Sequence, residues 1–498
     1  MTIAAPAAAC PLQAAAAPPP PPPPKQVTVK YNVFFDGTGN NMYNVARREE
    51  VEAWKAGKWF GPLRERQEKR LDKRNSSYQN EISNVVRLYR AAPVHSTTSM
   101  EGSLYVEGIG TSKDEEDSGP GQALGMDFFM SSTGVTSRVA WAIEQVRDKV
   151  GGLVTDRRVH LTVELRVFGF SRGAAAARHF VHRALNGSLA TAKLATQLQA
   201  IFGFTKVELS VSFAGLFDTV ASLGLYHGND VRELDLDAVR HVTGRVVHLA
   251  AADEFRDNFS LTNINSAKNR VEVFLPGAHS DIGGGYRDSA DEIDLPVLEL
   301  PWNPQHLARL SSGSAAMYAG VSGNDDPVAA QRTEWNKRLT EEQQWLVAQG
   351  WCTTTAQCLP KQNSLFVTRR NLRYHYQFIP LHIMADFSRE SAVAIDEGLE
   401  EDTPVGTELA NLRTPEGKSV EDHLKEYANA GKSRSDDWSK PLPWLQRLRA
   451  NWFHMSAHYV TIKLLHAVQP VFRTPSGDLG TGWTHRQHGV RSRRIFDG

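Results

Sequence analysis

The chain has 498 residues, which suggests one large domain with insertions or roughly two to three smaller domains. Lysine plus arginine and aspartate plus glutamate both total 56, so the basic excess typical of nucleic-acid-binding proteins is absent. Cys10, Cys352 and Cys358 are too few for a disulfide framework, and we expect reduced thiols. Met1–Pro24 lacks the basic and apolar regions of a Sec signal, and no apolar stretch is long enough to predict a membrane-spanning helix.

The amino-terminal sequence predicts an unstructured tail followed by a strand. Residues 1–25 are rich in alanine and proline, and Pro18–Pro24 favours an extended polyproline conformation without a core of its own. Gln26–Phe35 reads as a strand, and it ends in the turn sequence Asp36–Asn41. Val45–Lys73 is charged and poorly periodic, which indicates a solvated excursion.

Strands and helices then alternate as far as Asp288. We predict strands at Ser103–Glu107, Leu161–Phe170, Val207–Phe217 and Arg270–Leu275. We predict helices at Glu81–Tyr89, in the stretch that ends near Val150, at Arg172–Ala184 and at Val239–Asn258. This alternation favours an α/β fold with a mainly parallel, α/β-hydrolase-like sheet over residues 26–290. In such sheets, functional residues gather in loops at the carboxyl ends of the strands.

The pattern changes after Asp288. Tryptophans become frequent, and helical periodicity is present at Ala330–Gln349 and Pro443–Val468. Proline suits the first turn of a helix, where its missing N–H would be unsatisfied in any case. We therefore predict that residues 291–498 form a mostly helical cap or extension, packed on the catalytic core.

Gly169–Gly173 (GFSRG) matches the G-x-S-x-G pattern of a nucleophile elbow. The flanking glycines allow a tight turn from strand to helix, which raises the hydroxyl of Ser171 above the sheet. The amide of Arg172, the residue after the serine, is then a candidate oxyanion donor. The alternative is a glycine-lined strand–helix turn with no chemical role.

A serine becomes a nucleophile when a histidine accepts its proton and an acid orients that histidine. Asp218 and His279 each follow a predicted strand, in the order Ser, Asp, His that is typical of α/β-hydrolases. As alternatives, Asp218 could cap a helix and His279 could be a hydrogen-bonded structural residue. Asp281 is the competing acid, and we expect it to support the loop instead.

The loop Asp36–Asn41 lies at the same predicted sheet edge. Its glycines let backbone amides approach a ligand, so the Gly37 or Thr38 amide is a candidate second oxyanion donor. The alternative is a turn closed by the Asp36 and Asn40 side chains. The Asp-Gly-Thr sequence is also similar to haloacid-dehalogenase phosphotransferases, but those need an aspartate where this chain has Phe34.

We predict neither a metal site nor a cofactor. His454 and His458 would share one face of a predicted helix, but no HExxH motif accompanies them. The sequence favours partly buried histidines on an amphipathic helix over zinc ligands.

Four sequence motifs together resemble the first class of type VI secretion lipase effectors. The motifs are Phe34–Asn41 (FFDGTGNN), Gly169–Ala174 (GFSRGA), Gly215–Val220 (GLFDTV) and His279–Tyr286 (HSDIGGGY). The resemblance is strong over about residues 27 to 288 and faint afterwards. It implies a phospholipase A that is injected into the periplasm of a rival bacterium. It also implies Ser171, Asp218 and His279 as the triad, phospholipid as the substrate, and a secretion spike protein and an immunity protein as partners.

Two alternative functions remain open from the sequence. The first is an intracellular esterase that is not a toxin, and the second is an α/β binding module that retains the elbow without turnover. The aromatic and basic side chains of the predicted last helix could meet a lipid surface, but the sequence favours a helix packed on the hydrolase core. These residues are Arg447, Arg449, Trp452, Phe453, Tyr459 and Lys463.

Overall fold

A computed structural model describes residues 24–58, 76–118, 133–221, 231–254, 256, 259–299, 327–361, 364–431, 433–455, 493 and 495–498. The strands are β1 (Gln26–Phe35), β2 (Glu101–Val106), β3 (His160–Phe170), β4 (Lys206–Phe217), β5 (Arg245–Ala251), β6 (Leu261–Thr262), β7 (Arg270–Leu275), β8 (Ala290–Glu299), β9 (Cys358–Lys361), β10 (Ser364–Leu372) and β11 (Ile495–Phe496). The α-helices are α1 (Met42–Lys55), α2 (Ser76–Gln79), α3 (Asn84–Ala91), α4 (Val135–Leu153), α5 (Arg172–Asn186), α6 (Leu194–Phe202), α7 (His279–Gly283), α8 (Pro327–Ala348), α9 (Phe378–Glu390), α10 (Leu399–Asp402), α11 (Thr407–Ala410), α12 (Val420–Asn429) and α13 (Pro443–Asn451). Apart from residues 24 and 25, the predicted tail lies outside the described residues.

The central sheet has six strands in the order β2-β1-β3-β4-β5-β7, and all neighbours are parallel. Parallel neighbours need crossover connections, and α-helices lie in those from β1 to β2, from β2 to β3 and from β3 to β4. The mainly parallel α/β-hydrolase-like fold predicted from the sequence is therefore confirmed. Because all six strands point the same way, the ends of β1, β3, β4 and β7 lie at one edge of the sheet.

Both faces of this sheet are buried, as is usual for parallel sheets. Alternate residues of β1 illustrate this: Val33 and Phe35 belong to one apolar cluster, and Phe34 belongs to another. The first cluster includes residues of α4, α5 and α6, and the second includes residues of α3 and α9. Helices from before residue 205 thus cover one face of the sheet. The other face is covered by α3 together with α9, which comes from beyond residue 370.

The predicted boundary at residue 290 stays a prediction, but the apolar core crosses it. Helix α9 packs against β4, β5 and α3 of the central layer. Strands β8, β10 and β9 form a separate antiparallel sheet whose first strand begins at Ala290. One continuous cluster contains Phe168 of β3, Ile383 of α9 and Phe453. The later part of the chain is therefore an integral layer around the sheet.

The helix predicted at Val239–Asn258 is wrong. A short 3₁₀ helix covers Leu236–His241, and the chain then forms the parallel strand β5. This strand has the sequence RVVHLAA, a mostly apolar run that is buried on both faces. Periodicity alone does not separate such a run from a buried helix.

The solvated excursion predicted at Val45–Lys73 is also wrong where the structure describes it. Helix α1 begins after Asn41, whose side chain accepts hydrogen bonds from the first backbone amides. Val45, Arg48 and Val51 bury one face of α1 despite its charged composition.

The cysteine prediction needs correction as well. Cys352 and Cys358 form a disulfide, with their Cα atoms 6.6 Å apart. Both are buried, because β9 turns back against the end of α8 and brings them together. Cys10 lies outside the described residues.

Where the structure describes the predicted last helix, burial favours packing on the core over contact with lipid. Helix α13 ends at Asn451, and the rest of the predicted helix, with Tyr459 and Lys463, mostly lies outside the described residues. Trp452 is 3% exposed and Phe453 is 0% exposed, so neither side chain faces a membrane. None of the helices in the described part of the chain combines the length and apolar character of a membrane span.

The burial of Phe453 generates a stability prediction. Its ring packs against Tyr376, with centroids 4.6 Å apart, and against Trp351. Phe453→Ala should lower the free energy of unfolding by about 3–5 kcal/mol through lost burial and a cavity. Chemical denaturation measures this, and the exposed Leu189→Ala serves as the control. Equal stabilities of the two variants would contradict the integral role of this layer.

Candidate active site

Ser171 occupies a strained turn between β3 and α5. Its φ is 58° and its ψ is −128°, a left-handed conformation that is unfavourable for a residue with a side chain. Its amide donates to the Phe217 carbonyl at 3.0 Å, and its carbonyl accepts from Ala174 at 3.0 Å and from Val220 at 3.4 Å. These bonds hold the turn beside the end of β4. This is the backbone conformation expected of a nucleophile elbow.

Close backbone packing explains the glycines around Ser171. A Cβ atom at Gly173 would collide with the backbone oxygens of Phe35 and Asp36. A Cβ at Gly169 would lie 2.6 Å from the Cα of Ala174. Small residues at these positions therefore allow α5 to begin directly against β1 and β3.

Asp218 and His279 are joined directly. His279 Nδ1 donates to Asp218 Oδ2 at 2.5 Å, and both side chains are buried. The imidazole contacts the ring of Phe170, with centroids 4.6 Å apart, and the edge of Phe259 at 5.0 Å. Phe170 directly precedes Ser171, so these contacts bring the predicted acid, the predicted base and the serine turn into one buried cluster.

Charge and burial set the protonation of this pair. Burial opposes ionisation of Asp218, but the Arg493 guanidinium and the hydrogen bond from His279 hold the pKa of Asp218 below its ordinary value. Burial lowers the pKa of His279, although Asp218 acts in the opposite direction. A neutral imidazole with Nδ1–H on Asp218 leaves Nε2 able to accept a proton.

The loop after β1 contains the two amides predicted as candidates for the second oxyanion donor. The Gly37 amide already donates to Asp36 Oδ1 at 2.8 Å, so this half of the prediction is not favoured. Thr38 lies next to the elbow, because its hydroxyl accepts from Arg172 Nε at 2.8 Å. We therefore favour the Thr38 amide, together with the amide of Arg172 at the start of α5.

The buried side chain of Asp36 supports the loop that follows β1. It accepts hydrogen bonds from the Ser83 hydroxyl at 2.6 Å and the Tyr105 hydroxyl at 2.7 Å. Complete burial raises its pKa to about 6, although these donors favour the ionised form. Asp36 thus connects the first loop to α3 and β2 and acts as a fixing group.

Three carboxylates hold the loop that carries His279, since consecutive backbone amides of this loop each donate to a different buried acid. The bonds join Gly277 to Asp253 at 2.9 Å, Ala278 to Asp281 at 2.9 Å and His279 to Glu254 at 3.3 Å. Asp281 therefore supports the loop, as expected, and its carboxylate bonds with His454 rather than with His279. Burial raises the pKa of Asp281 well above its ordinary value.

Sequence reasoning missed most of these supporting groups. Asp253 and Glu254 follow β5, and reading β5 as a strand would have predicted them at the functional edge. Arg449 of α13 pairs with Asp253 at 2.8 Å, a contact that the sequence does not predict. Nothing in the local sequence marks Arg493, which contacts Asp218 through two nitrogens.

His454 does not lie on the predicted helix. His454 follows the end of α13, and its ring stacks on Tyr286 with centroids 3.7 Å apart. His458 lies outside the described residues. Among the residues that the structure describes, no group of three or more His, Cys, Asp and Glu side chains is placed to bind a metal ion.

Comparisons with known proteins agree with these motifs. Among solved structures, the Tle1 effector bound to the VgrG spike from the Type 6 secretion system is similar over 87% of this chain and 85% of that chain, with a TM-score of 0.51 and 21% identity. At this identity the likeness shows a shared fold. An uncharacterized protein from Pseudomonas aeruginosa aligns over 85% of this chain and 52% of its own length, with a TM-score of 0.37 and 16% identity. No curated protein matches the sequence.

Residues 190–309 match the family model described as "T6SS, Phospholipase effector Tle1-like, catalytic domain". The matched residues include Asp218 and His279, whereas Ser171 precedes them. This match agrees with the resemblance and includes two of the four motifs, Gly215–Val220 and His279–Tyr286. Residues 190–309 are thus similar to the catalytic domain of Tle1-like phospholipase effectors of type VI secretion.

Proposed function

We propose that this chain is a serine-dependent phospholipase A that hydrolyses carboxylic esters of membrane phospholipids. The observation that carries the proposal is the buried Asp218–His279 hydrogen bond of 2.5 Å beside the strained Ser171 turn. In the proposed reaction, His279 takes the proton of Ser171 as its hydroxyl attacks the ester carbonyl. The amides of Arg172 and Thr38 stabilise the developing oxyanion, and His279 then protonates the leaving alcohol. Water releases the fatty acid in a second, equivalent cycle.

The biological role that we propose is that of an antibacterial effector. The family match supports delivery by a type VI apparatus, and the solved relative with a VgrG spike supports a spike protein as carrier. The phospholipids of a target cell, reached from its periplasm, would be the substrate, and a cognate immunity protein would protect the producing cell. An intracellular esterase uses the same chemistry and differs in substrate. A silent binding module would lack the chemistry altogether.

Two assays separate these possibilities. A fluorophosphonate probe labels only an activated serine, so labelling at Ser171 excludes the silent module. Incubation with mixed phospholipid vesicles, followed by lipid mass spectrometry, should then show free fatty acids and lysophospholipids. Labelling of Ser171 with hydrolysis of short esters but intact phospholipids would favour the esterase instead.

Removal of the nucleophile gives the first test of the triad. Ser171→Ala should lower turnover by about a million-fold, because the remaining groups have no hydroxyl to activate. Thermal unfolding should show an intact fold, since the small side chain also suits this turn. Ser188→Ala, on an exposed loop, is the matched control. Hydrolysis by folded Ser171→Ala at the rate of that control would exclude Ser171 as the nucleophile.

Substitution by asparagine should have different effects at the two acids near His279, Asp218 and Asp281. Both oxygens of Asp218 face donors, from Ala251, Arg493 and His279, so an asparagine NH₂ would meet a donor in either orientation. Asp218→Asn should reduce turnover by roughly four orders of magnitude.

Asp281→Asn is the matched variant. An asparagine oxygen in place of Oδ2 keeps the bonds from Ala278 at 2.9 Å and from the His454 amide at 3.1 Å. The NH₂ group would then face His454 Nδ1, which can accept in the other tautomer. We expect a much smaller loss of turnover. A dead Asp281→Asn beside an active Asp218→Asn would reverse the assignment of the acid.

The pH dependence follows from the base. His279 accepts a proton only when neutral, and burial lowers its pKa from the ordinary value of 6.5. Activity should therefore be full near neutral pH and fall as pH decreases, with a midpoint below 6.5. The measurement is kcat/KM for a short soluble ester against pH. A midpoint above 6.5 would argue against His279 as the base in this environment.

A further inference from the structure

Arg493 reaches the candidate site from far along the chain. Its Nη1 and Nη2 contact the two carboxylate oxygens of Asp218 at 2.5 and 2.9 Å. Its Nε donates to the Phe259 carbonyl at 2.7 Å, and Nη1 also contacts the Ala251 carbonyl at 3.3 Å. The Arg493 side chain is 3% exposed and that of Asp218 is 0% exposed. A two-nitrogen contact with a carboxylate in a buried setting fixes both position and orientation.

The residues that follow Arg493 anchor it to the core. Strand β11 pairs in parallel with β6, and the Phe496 carbonyl accepts from the Asn263 amide at 2.9 Å. Asp497 accepts from the side-chain amides of Asn263 at 2.8 Å and Asn265 at 2.9 Å. Gly498 completes the contact through its carbonyl, which accepts from the Ser266 amide. We call Arg493 and residues 495–498 the docking segment.

Strand β6 connects the docking segment to the Asp218 loop. The Thr262 amide donates to the Thr219 carbonyl at 3.0 Å, and Leu261 bridges to Val220. The residues directly after Asp218 therefore lie on one side of β6, and β11 lies on the other. Asp218 has a positive φ of 43°, so its backbone conformation also depends on these neighbours.

We propose that Arg493 is a positioning residue of the active site, delivered by the docking segment to hold Asp218 ionised and aimed at His279. This inference rests on the proposed function, because it assigns the group that orients the acid of that triad. The guanidinium has a second effect on the base. By sharing the charge of Asp218, it weakens the attraction of that carboxylate for an imidazolium, and so helps to keep His279 neutral between turnovers.

The other charged groups near the Asp218–His279 pair should not mask the effect of Arg493 on the pKa of His279. His279 also faces Glu254 and Arg256, but these two bind each other through two bonds of 2.8 Å. Their charges largely cancel at His279. The remaining polar partner of Asp218 is the Ala251 amide, which is neutral. Removal of the Arg493 charge should therefore raise the pKa of His279 toward that of an imidazole beside an unshared carboxylate.

The test uses Arg493→Gln and Arg493→Lys in the full chain, with Arg158→Gln as control. Arg158 has a side chain that is 91% exposed, so this variant removes one charge without touching the site. Arg493→Gln should lower kcat by about a hundred-fold, as expected for a misplaced catalytic group. Its acid limb in the pH profile of kcat/KM should move to higher pH. Arg493→Lys should lose part of kcat but keep the acid limb near that of wild type.

The pH readout separates positioning from a merely structural role. A lower melting temperature with an unchanged acid limb and unchanged kcat in both variants would overturn the proposal. If Arg493→Gln does not fold, Arg493→Lys decides, because a lysine keeps the charge but not the two-nitrogen contact. Wild-type kcat in that variant would then overturn it.

The proposed function can fail independently of this inference. Wild-type protein that neither labels with the fluorophosphonate probe nor hydrolyses esters would remove the triad. The imidazole pKa of His279, followed by NMR and assigned with His279→Gln, still reports on Arg493 in that case. A higher imidazole pKa in Arg493→Gln than in Arg158→Gln would support the electrostatic role, and equal values would exclude it.

Discussion

Buried acids around one histidine impose the strongest constraint on this fold. A carboxylate without a partner is very unfavourable in a protein interior, so each acid beside His279 needs a cation or several donors. Those groups come from distant parts of the chain. Asp218 pairs with Arg493, Asp253 with Arg449 and Asp281 with His454. The loop that carries His279 is therefore satisfied only when segments from beyond residue 440 have packed against the sheet.

This constraint explains why the later part of the chain is not a detachable cap. Helix α9 covers a face of the central sheet, while α13 and the docking segment supply charges to the site. Hydrophobic and electrostatic requirements thus act on the same elements. Loss of packing at Phe453 would also disturb Arg449 and His454, which lie close to it in the chain. Stability and the geometry of the candidate site are coupled for this reason.

Much of the central sheet and the proposed triad could be predicted from sequence, because local signals mark them. Strands Gln26–Phe35 and Arg270–Leu275 have the predicted bounds. The glycines around Ser171 predict a tight turn. Strand β5 was not predicted, because the periodicity of a short buried apolar run does not distinguish a strand from a helix. Arg493 was not predicted for a different reason. An arginine whose carboxylate partner lies 275 residues away in the sequence has no local pattern at all.

The strained backbone at Ser171 and Asp218 matches the geometry that the proposed triad requires. Positive φ values at Ser171 and Asp218 are each unfavourable by about 1–3 kcal/mol, and the surrounding structure must offset them. A turn with ordinary backbone angles would connect β3 to α5 without that penalty if shape were the only requirement. The strain has a use when a hydroxyl must project from the sheet edge and an acid must face an imidazole. Ser171 and Asp218 are two of the nine non-glycine residues with positive φ in the described part of the chain, and both are members of the proposed triad.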